Sequence, residues 1–455
     1  MRHRAGVLFA VLVIMLAAGG IAAGQSGTVG ADGVGDPYFP GLGNGGYDAQ
    51  HYTIDLTADL DANTISGTVT IEAVATQDLS RFDLDFLGFA ISDLSVNGAA
   101  ADFTRDGREL IITPGALIHA GETFTVAVTY SGVPGEGVTE PLAAYSGGWT
   151  PFEHGVYVSS EPAGAALWYP VNDHPLDKAT YTIRITVPQP YVVAANGLLQ
   201  DTVIDGGMTT YIWENSYPTA SYLVTVVIGD FVVLEDEGPD GLPMRDFCPP
   251  HLADACAATF ARTPEMVDFF DDIAPYPFEA YGVVVVDTPL TFAMETQTLS
   301  LFGSETTSPD SWQRAGGPEF VIAHELAHQW FGNSVSPATW QDIWLNEGFA
   351  SYAQLLWMRH AYGEGQFLGW VNGWYDYIAN PGDGQAFAIP GDPSPERLLN
   401  TAVYLRGGLT LYALHARVGE ETFFNILRTY YDRFQNSNAS TADFIAVAEE
   451  VSGED

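Results

Sequence analysis

Two hydrophobic periodicities follow each other along the chain. Between residues 52 and 234, runs such as YTIDLTADL, TFTVAVTY and ATYTIRITV place an apolar side chain at roughly every second position. A period of two is that of a strand with one buried face, and Gly, Asn, Asp and Pro separate the runs as turn residues do. The pattern predicts an all-β domain over residues 47–235.

The pattern changes after the acidic segment EDEGPDGLP, which we interpret as the joint between two domains. HLADACAATFARTPEMVDFFDDI has helical spacing, AYGVVVVD has the β-branched run of a buried strand, and LTFAMETQTLSLFG is predicted as a further strand. From Gly317 onward the apolar positions mostly return at helical spacing. The chain is therefore predicted to be multidomain, with an α+β, mostly helical domain over residues 236–455.

The first 46 residues carry neither pattern. Residues 1–23 begin with Arg2, His3 and Arg4, continue through AGVLFAVLVIML and end in small residues, which is the layout of a secretory signal peptide. An uncleaved membrane anchor is the alternative, because the apolar run approaches spanning length. We expect a secreted or cell-envelope protein. Residues 24–46 are predicted to be a flexible, Gly-rich lead whose end docks on the folded body.

The charge of the chain excludes one class of partner. It has 57 acidic and 16 basic side chains, which gives a formal net charge of −41. The phosphate backbone of a nucleic acid would repel such a surface, so we expect no nucleic-acid partner. Salt screens self-repulsion of this kind, which motivates the hypothesis of a saline habitat.

The chain has two cysteines, Cys248 and Cys256. In an oxidising compartment they can form a disulfide, and two unrelated buried thiols are the alternative. No second Cys or His pair stands at ligand spacing beside them, so the sequence does not favour a zinc site on the cysteines.

Polar side chains interrupt the apolar stretch FVIAHELAHQWFG. His324 and His328 are four residues apart, so on a helix they lie on the same face, where two imidazoles can bind one metal ion. Glu325 can accept a proton from a water molecule that the metal activates. Core histidines that satisfy each other are the alternative. This HExxH pattern predicts a zinc site.

A catalytic zinc ion usually has three protein ligands and one open position. The candidate third ligand is Glu347 in WQDIWLNEGFASYAQLLW, on a second predicted helix, and we expect one zinc ion per chain. Asp342 and Gln354 flank this residue and are predicted to orient the histidines. A helix cap and a surface amide are the alternative roles for these two side chains.

The spacing of HExxH, eighteen residues and then Glu within NEGFASY resembles the gluzincin aminopeptidases, the family of aminopeptidase N and leukotriene hydrolase. The resemblance implies an N-terminal β-domain followed by a thermolysin-like catalytic domain. It implies His324, His328 and Glu347 as zinc ligands and Glu325 as the general base. Members of this family usually continue into further helices, so the resemblance also implies that a C-terminal helical domain is absent or truncated here.

An aminopeptidase needs fixed anions for the free ammonium of its substrate, because burying that charge unpaired is costly. TFAMETQT is similar to the Gly-Ala-Met-Glu-Asn signature of the family and matches it at Ala293, Met294 and Glu295. The resemblance implies that Glu295 binds the ammonium and that its neighbours line the substrate site. Phe292 and Thr296 replace the Gly and the Asn of the signature.

Two further segments are similar to family motifs. SSEPAGAALWYPVNDHPLDKATY matches a segment that supplies a second ammonium-binding carboxylate, which falls on Glu161, and it includes Lys178. His174 replaces a Glu of that segment. NTAVYLRGG resembles Tyr-x-Lys-Gly, which assigns to Tyr404 a hydrogen bond to the oxyanion of the tetrahedral intermediate.

These residues together predict a zinc metallopeptidase that releases N-terminal amino acids from peptides with a free N-terminus. The alternative within hydrolases is a zinc endopeptidase, or a hydrolase of another small substrate, on the same site. Outside enzymes, the alternative is a β-rich binding or scaffold protein with a degenerate peptidase domain. The sequence predicts no membrane association for the mature form unless the signal peptide is uncleaved, and it does not determine an oligomeric state.

Overall fold

A computed structural model describes residues 27–314, 316–380 and 389–455. The predicted signal peptide, residues 1–23, lies outside the described residues. Buried apolar side chains of the β-rich and the helical halves form one continuous core cluster. The order of the halves, β-rich first and mostly helical second, agrees with the predicted fold class.

The first domain is built on an eight-stranded, mostly antiparallel sheet. Strand Tyr47–Asp59 alternates buried and exposed side chains as predicted, but its parity changes where a bulge shifts the register between Ala49 and His51. The strands, in spatial order, are Leu198–Asp205, Met208–Thr219, Ala179–Pro188, Tyr47–Asp59, Thr64–Ala75, Thr123–Gly132, Ala90–Val96 and Ala99–Ala100.

Two four-stranded sheets complete the first domain. Tyr47 and Phe124 of the large sheet pack their rings against Phe82 of the second sheet, with centroids 5.8 and 5.2 Å from it. The second sheet runs Thr28–Val29, Leu79–Asp85, Glu109–Thr113 and Asp102–Asp106. The third runs Gly148–Phe152, Gly155–Ser159, Val226–Gly229 and Val192–Ala195.

The predicted domain boundary, between residues 235 and 236, lies in a regular element of structure. That boundary falls inside a strand, Val232–Glu237, which pairs antiparallel with Pro243–Cys248. Parallel strands Tyr281–Val286 and Ser300–Gly303 extend the same sheet. EDEGPDGLP therefore contains the turn that connects these two strands and the strand residues on either side of it. Its composition suits a turn as well as a joint between domains, because Gly and Asp tolerate the positive φ of the turn.

Helices cover this four-stranded sheet. The predicted helical segment after Cys248 forms two helices, and the segments around the HExxH motif and Glu347 are helical as predicted. The α-helices are Pro141–Ser146 in the first domain and Ala253–Phe260, Thr263–Asp271, Glu319–Ala327, Trp344–Tyr362, Glu364–Ala379, Gly407–Val418, Glu420–Phe434 and Thr441–Ser452 in the second. A short two-stranded sheet joins Val335–Pro337 to Ser437–Ala439.

The strand predicted in LTFAMETQTLSLFG is confirmed only at its end. Ser300–Gly303 is a strand, whereas Glu295 lies in an irregular segment with a single bridge between Met294 and Leu301. Thr298 has a φ of 66°, which is incompatible with a continuous strand. The apolar run predicts burial correctly, but the chain turns where the carboxylate is presented.

From residue 27 onward the Gly-rich lead lies on the folded body, in agreement with the predicted docking of its end. Thr28–Val29 adds a strand to the second sheet, and Asp36 is buried. The Asp36 carboxylate accepts hydrogen bonds from His174 of the first domain and from the main-chain N–H of Trp340 in the second. The lead therefore connects both domains through side-chain contacts that no local pattern reveals.

Cys248 and Cys256 form a disulfide, so the first of the two alternatives is the observed one. The bond joins the end of strand Pro243–Cys248 to helix Ala253–Phe260. Within the described ranges, every helix is too short or too polar to cross a membrane.

Candidate metal centre

Two buried helices bring the three predicted zinc ligands together. His324 lies in helix Glu319–Ala327 and His328 follows at its C-terminal end, while Glu347 lies in the first turn of helix Trp344–Tyr362. One ligand atom of each residue lies within 4.8 Å of the others. We call the two helices the first and the second site helix.

The hydrogen bonds of the imidazoles determine which nitrogen faces the centre. His324 Nδ1 lies 2.9 Å from Gln354 Oε1, and His328 Nδ1 lies 3.1 Å from the carbonyl oxygen of Phe331. Both partners are acceptors, so each Nδ1 carries a proton and each Nε2 faces the centre, where it offers a lone pair once that nitrogen is deprotonated. The Nε2 atoms lie 3.0 and 3.4 Å from Glu347 Oε2. Two imidazole nitrogens and one carboxylate oxygen that converge in this way can hold a metal ion, and this set of ligands fits zinc.

The electrostatics of the centre favour positive charge. Burial alone would lower the pKa of His328, but the carboxylates of Glu295 and Glu347 outweigh burial and raise it to about 10. Burial alone would raise the pKa of Glu347, but the two histidines outweigh burial and lower it to about 2. A dication at this position would meet one ionised carboxylate ligand and further carboxylates close by.

Glu325 is buried on the first site helix, with a carboxylate oxygen within 4.8 Å of ligand atoms of Glu295 and His328. Burial raises its pKa well above the ordinary value; His328 opposes that shift, and the like charges of Glu295 and Glu347 add to it. A carboxylate whose pKa is raised in this way accepts a proton more readily than an ordinary carboxylate does. The geometry is that of the predicted general base.

Tyr404 lies on the π-helical turn Ala402–Arg406, and its ring stacks on that of His324 with centroids 6.0 Å apart and planes 20° from parallel. Burial, together with surrounding carboxylates, raises the pKa of Tyr404 well above its ordinary value. The hydroxyl therefore stays protonated and can donate a hydrogen bond beside the centre.

A close crossing of two helices places Tyr404 next to the second site helix. At the crossing, Gly348 faces Gly407, and a Cβ on Gly407 would lie 2.9 Å from the Gly348 Cα. Glu347 directly precedes one of these glycines, and Tyr404 lies one turn before the other. The two glycines thus allow the backbones carrying Glu347 and Tyr404 to approach.

A cavity of 820 Å³ adjoins the centre at the interface of the two domains. All predicted site residues line it: Glu161, Ala293, Met294, Glu295, His324, Glu325, His328, Glu347 and Tyr404. Phe292, 43% exposed, also lines it. Among the described lining residues there is no Lys or Arg.

Glu161 of the first domain and Glu295 of the second meet in this cavity. Each has one buried carboxylate oxygen, Oε1, that lacks a hydrogen-bond partner among the described residues. Burial raises the pKa of both side chains, and the pKa of Glu161 is raised further by the charge of Glu295. Two carboxyl groups in one cavity, with no Lys or Arg among its described lining residues, form a binding site for a positively charged group.

Two residues that the sequence reasoning missed hold the Glu295 segment. Gln329 Nε2 and Asn333 Nδ2 donate to the main-chain oxygen of Glu295 over 3.1 and 2.7 Å. Gln329 Oε1 also accepts from the N–H of Thr298 at 2.9 Å. Both polar side chains closely follow the HExxH motif inside an apolar stretch, which is the signal that identifies them.

The predicted contacts of Asp342 and Gln354 turn out differently. Gln354 contacts His324 as predicted and is buried. Asp342 does not reach either histidine: it accepts hydrogen bonds from the N–H and the hydroxyl of Thr441 and from the hydroxyl of Thr339. Asp342 therefore binds the first residue of the last helix, Thr441–Ser452, instead of orienting a histidine.

Comparisons with known protein families match most of the chain. The family model "Peptidase M1 N-terminal domain" matches residues 48–223, and the model "Peptidase family M1 domain" matches residues 259–455. Aminopeptidase M1 of Arabidopsis thaliana is 26% identical over 440 residues, which are 89% of this chain and 48% of that protein. Human glutamyl aminopeptidase is 28% identical over 314 residues, 65% of this chain and 32% of that protein. The chain spans about half the length, or less, of these relatives.

Solved structures match over nearly the whole length. An M1 zinc metallopeptidase from Deinococcus radiodurans superposes with a TM-score of 0.82 at 32% identity, covering 92% of this chain and 94% of that one. A variant of that protein bound to a Tyr-Ser-Ala substrate gives a TM-score of 0.82 at 31% identity, with 92% and 96% covered.

Proposed function

Because the chain belongs to peptidase family M1, we propose that it is a zinc-dependent aminopeptidase that releases the N-terminal residue of a peptide. One observation carries the choice of an exopeptidase. Glu161 and Glu295, from different domains, each present an unpartnered buried oxygen to the cavity that also contains the metal centre. The free ammonium of a peptide supplies the cation that this pair requires.

Each site residue has a separate proposed role in the reaction. His324, His328 and Glu347 would hold the zinc ion, which when bound supplies a Lewis acid that polarises the scissile carbonyl and activates water. Glu325 takes a proton from the attacking water and returns it to the leaving amine, for which its raised pKa suits it. Tyr404 donates a hydrogen bond to the oxyanion.

Substrate orientation follows from the position of the two carboxylates. With the ammonium held between Glu161 and Glu295, the first peptide bond is the bond that can reach Glu325 and the metal centre. An endopeptidase would instead leave both carboxylates buried and unpaired along an uninterrupted chain, which is energetically costly. The observed site thus favours the aminopeptidase over the endopeptidase alternative.

The primary test compares leucine anilide with N-acetyl-leucine anilide, each with and without a chelator. We expect cleavage of the free amine only, loss of activity with the chelator, and recovery on adding zinc. Glu325→Gln should bind zinc and the substrate but lack turnover, whereas Glu295→Gln and Glu161→Gln should raise KM. Equal cleavage of the acetylated substrate would exclude the aminopeptidase and favour the endopeptidase.

We further propose that the protein acts outside the cytoplasm. The disulfide between Cys248 and Cys256 and the leader-like composition of residues 1–23 support this location. Fractionation of expressing cells, combined with N-terminal sequencing of the mature protein, tests it. An intact N-terminus on cytoplasmic protein would contradict it.

A further inference from the structure

Lys178 is the single lysine of the sequence. Among the described residues, no carboxylate forms an ion pair with it. It lies directly before strand Ala179–Pro188 of the first domain, and its ammonium points into the second. Nζ donates to the main-chain oxygens of Asn333 and Ser334 over 2.8 and 2.9 Å. Lys178 therefore holds a loop of the second domain through the main-chain carbonyl groups of that loop.

That loop connects the metal centre to the ammonium site. The main-chain N–H of Asn333 donates to the carbonyl oxygen of His328 over 2.9 Å, so the loop continues directly from a zinc ligand. The side chain of Asn333 then donates to the main-chain oxygen of Glu295 over 2.7 Å. Two successive hydrogen bonds therefore link Lys178 to the backbone of Glu295.

The Glu295 segment is irregular and depends on such bonds for its position. It lacks the ladder of a regular strand, apart from the bridge between Met294 and Leu301. Its main-chain oxygen at Glu295 accepts from Asn333 and from Gln329. Displacement of residues 332–334 would remove the shorter of these two bonds and let the carboxylate move.

We propose that Lys178 is a positioning residue for recognition of the substrate ammonium, acting through Asn333 on Glu295. This inference rests on the proposed aminopeptidase function. Lys178 does not line the substrate cavity, so it acts without touching substrate. Lys178 fixes the distance between the Glu295 carboxylate and the metal centre, because the loop that it holds is hydrogen-bonded to the backbones of Glu295 and His328.

The test separates ammonium recognition from stability with two zinc-binding inhibitors. Leucine hydroxamate carries the α-ammonium, and isocaproyl hydroxamate has the same skeleton without it. In Lys178→Met we expect leucine hydroxamate to bind about tenfold more weakly, because misplacement of a binding group by a fraction of an ångström weakens only the contacts it makes. The affinity for isocaproyl hydroxamate and the zinc content should stay unchanged.

A double-mutant cycle shows whether the effect passes through Glu295. In a Glu295→Gln background, Lys178→Met should cause no further loss of leucine hydroxamate affinity, since coupled residues are non-additive. Lys178→Gln keeps two N–H donors, so a smaller loss of leucine hydroxamate affinity is expected for it in the same cycle. If Lys178→Met does not accumulate as folded protein, Lys178→Gln replaces it. Additive losses in the cycle would overturn the proposal.

Asn438→Ala is the matched control for loosening the domain interface. Asn438 Nδ2 donates to the main-chain oxygens of Pro175 in the first domain and Pro337 in the second, without a bond to Glu295. This variant should lower the thermal midpoint while leaving the affinities for both hydroxamates unchanged. An equal loss for both inhibitors in Lys178→Met would also overturn the proposal. Wild-type protein that does not cleave leucine anilide would instead contradict the proposed function itself.

Discussion

The crossing of Gly348 and Gly407 permits a quantitative prediction for Gly407→Ala. The added Cβ would lie 2.9 Å from the Gly348 Cα, whereas unstrained carbon contacts lie at about 3.5–4.0 Å, so the helices must separate by about 1 Å. Overpacking of this kind costs about 1–3 kcal/mol. Replacing Gly by Ala inside a helix offsets about 1 kcal/mol of that loss. We expect a net destabilisation of about 0–2 kcal/mol.

The effect on catalysis should exceed the effect on stability. Separation of the helices moves Tyr404 away from Glu347 and the metal centre, and a misplacement of about 1 Å costs about 100-fold in rate. The measurements are kcat and KM on leucine anilide, the zinc content, and the free energy of unfolding in urea. The loss should appear in kcat, because the ammonium-binding carboxylates lie on other segments.

Gly369→Ala is the control for this prediction. It makes the same substitution in helix Glu364–Ala379, where an added Cβ meets nothing within 4 Å. Activity should be unchanged, and the free energy of unfolding should rise by about 1 kcal/mol. Wild-type kcat in a folded, zinc-loaded Gly407→Ala protein would refute the argument that close approach of these helices positions Tyr404.

Three further predictions follow from the site and the surface. Tyr404→Phe should lower kcat by about 100-fold or more with little change in KM or thermal midpoint, because one oxyanion donor is removed; a kcat within threefold of wild type would contradict that role. Glutamyl anilide should be cleaved at least about tenfold more slowly than glutaminyl anilide, because the described lining of the cavity offers carboxylates and no Lys or Arg. Equal rates would exclude this electrostatic selection. Raising NaCl from low to molar concentration should raise the thermal midpoint, because salt screens repulsion at a net charge of −41; an unchanged midpoint argues against the saline-habitat hypothesis.

Sequence reasoning succeeded where the chemistry depends on local spacing. His324 and His328 share a helical face because they are four residues apart, and any helix formed there presents them together. The buried strand at Tyr281–Val286 and the helices near Glu347 follow from apolar periodicity in the same way. Shared helical faces and buried strands are properties of a single secondary-structure element, so the spacing of residues along the sequence is enough to predict them.

Predictions from the sequence failed where the role of a residue depends on a partner that is distant in the chain. EDEGPDGLP has a composition that suits both a linker and a turn. Only the pairing of strand Val232–Glu237 with strand Pro243–Cys248 shows that the segment contains a hairpin turn. Asp342 stands near Glu347 in the chain, yet its partner is Thr441 from the last helix. The Gly-rich lead docks on the body as predicted for its end, but the contacts of Asp36 with both domains, which hold it there, were not predicted.

The sequence by itself predicted the metal chemistry, the class of each domain and the residues proposed to carry the reaction. Only the tertiary structure decided that Glu161 and Glu295, from different domains, present unpaired oxygens to one cavity, and that two glycines bring Tyr404 beside Glu347. The physical reason is that ligand spacing is encoded within a helical turn. Convergence of distant segments depends instead on the packing and hydrogen bonding of the whole chain.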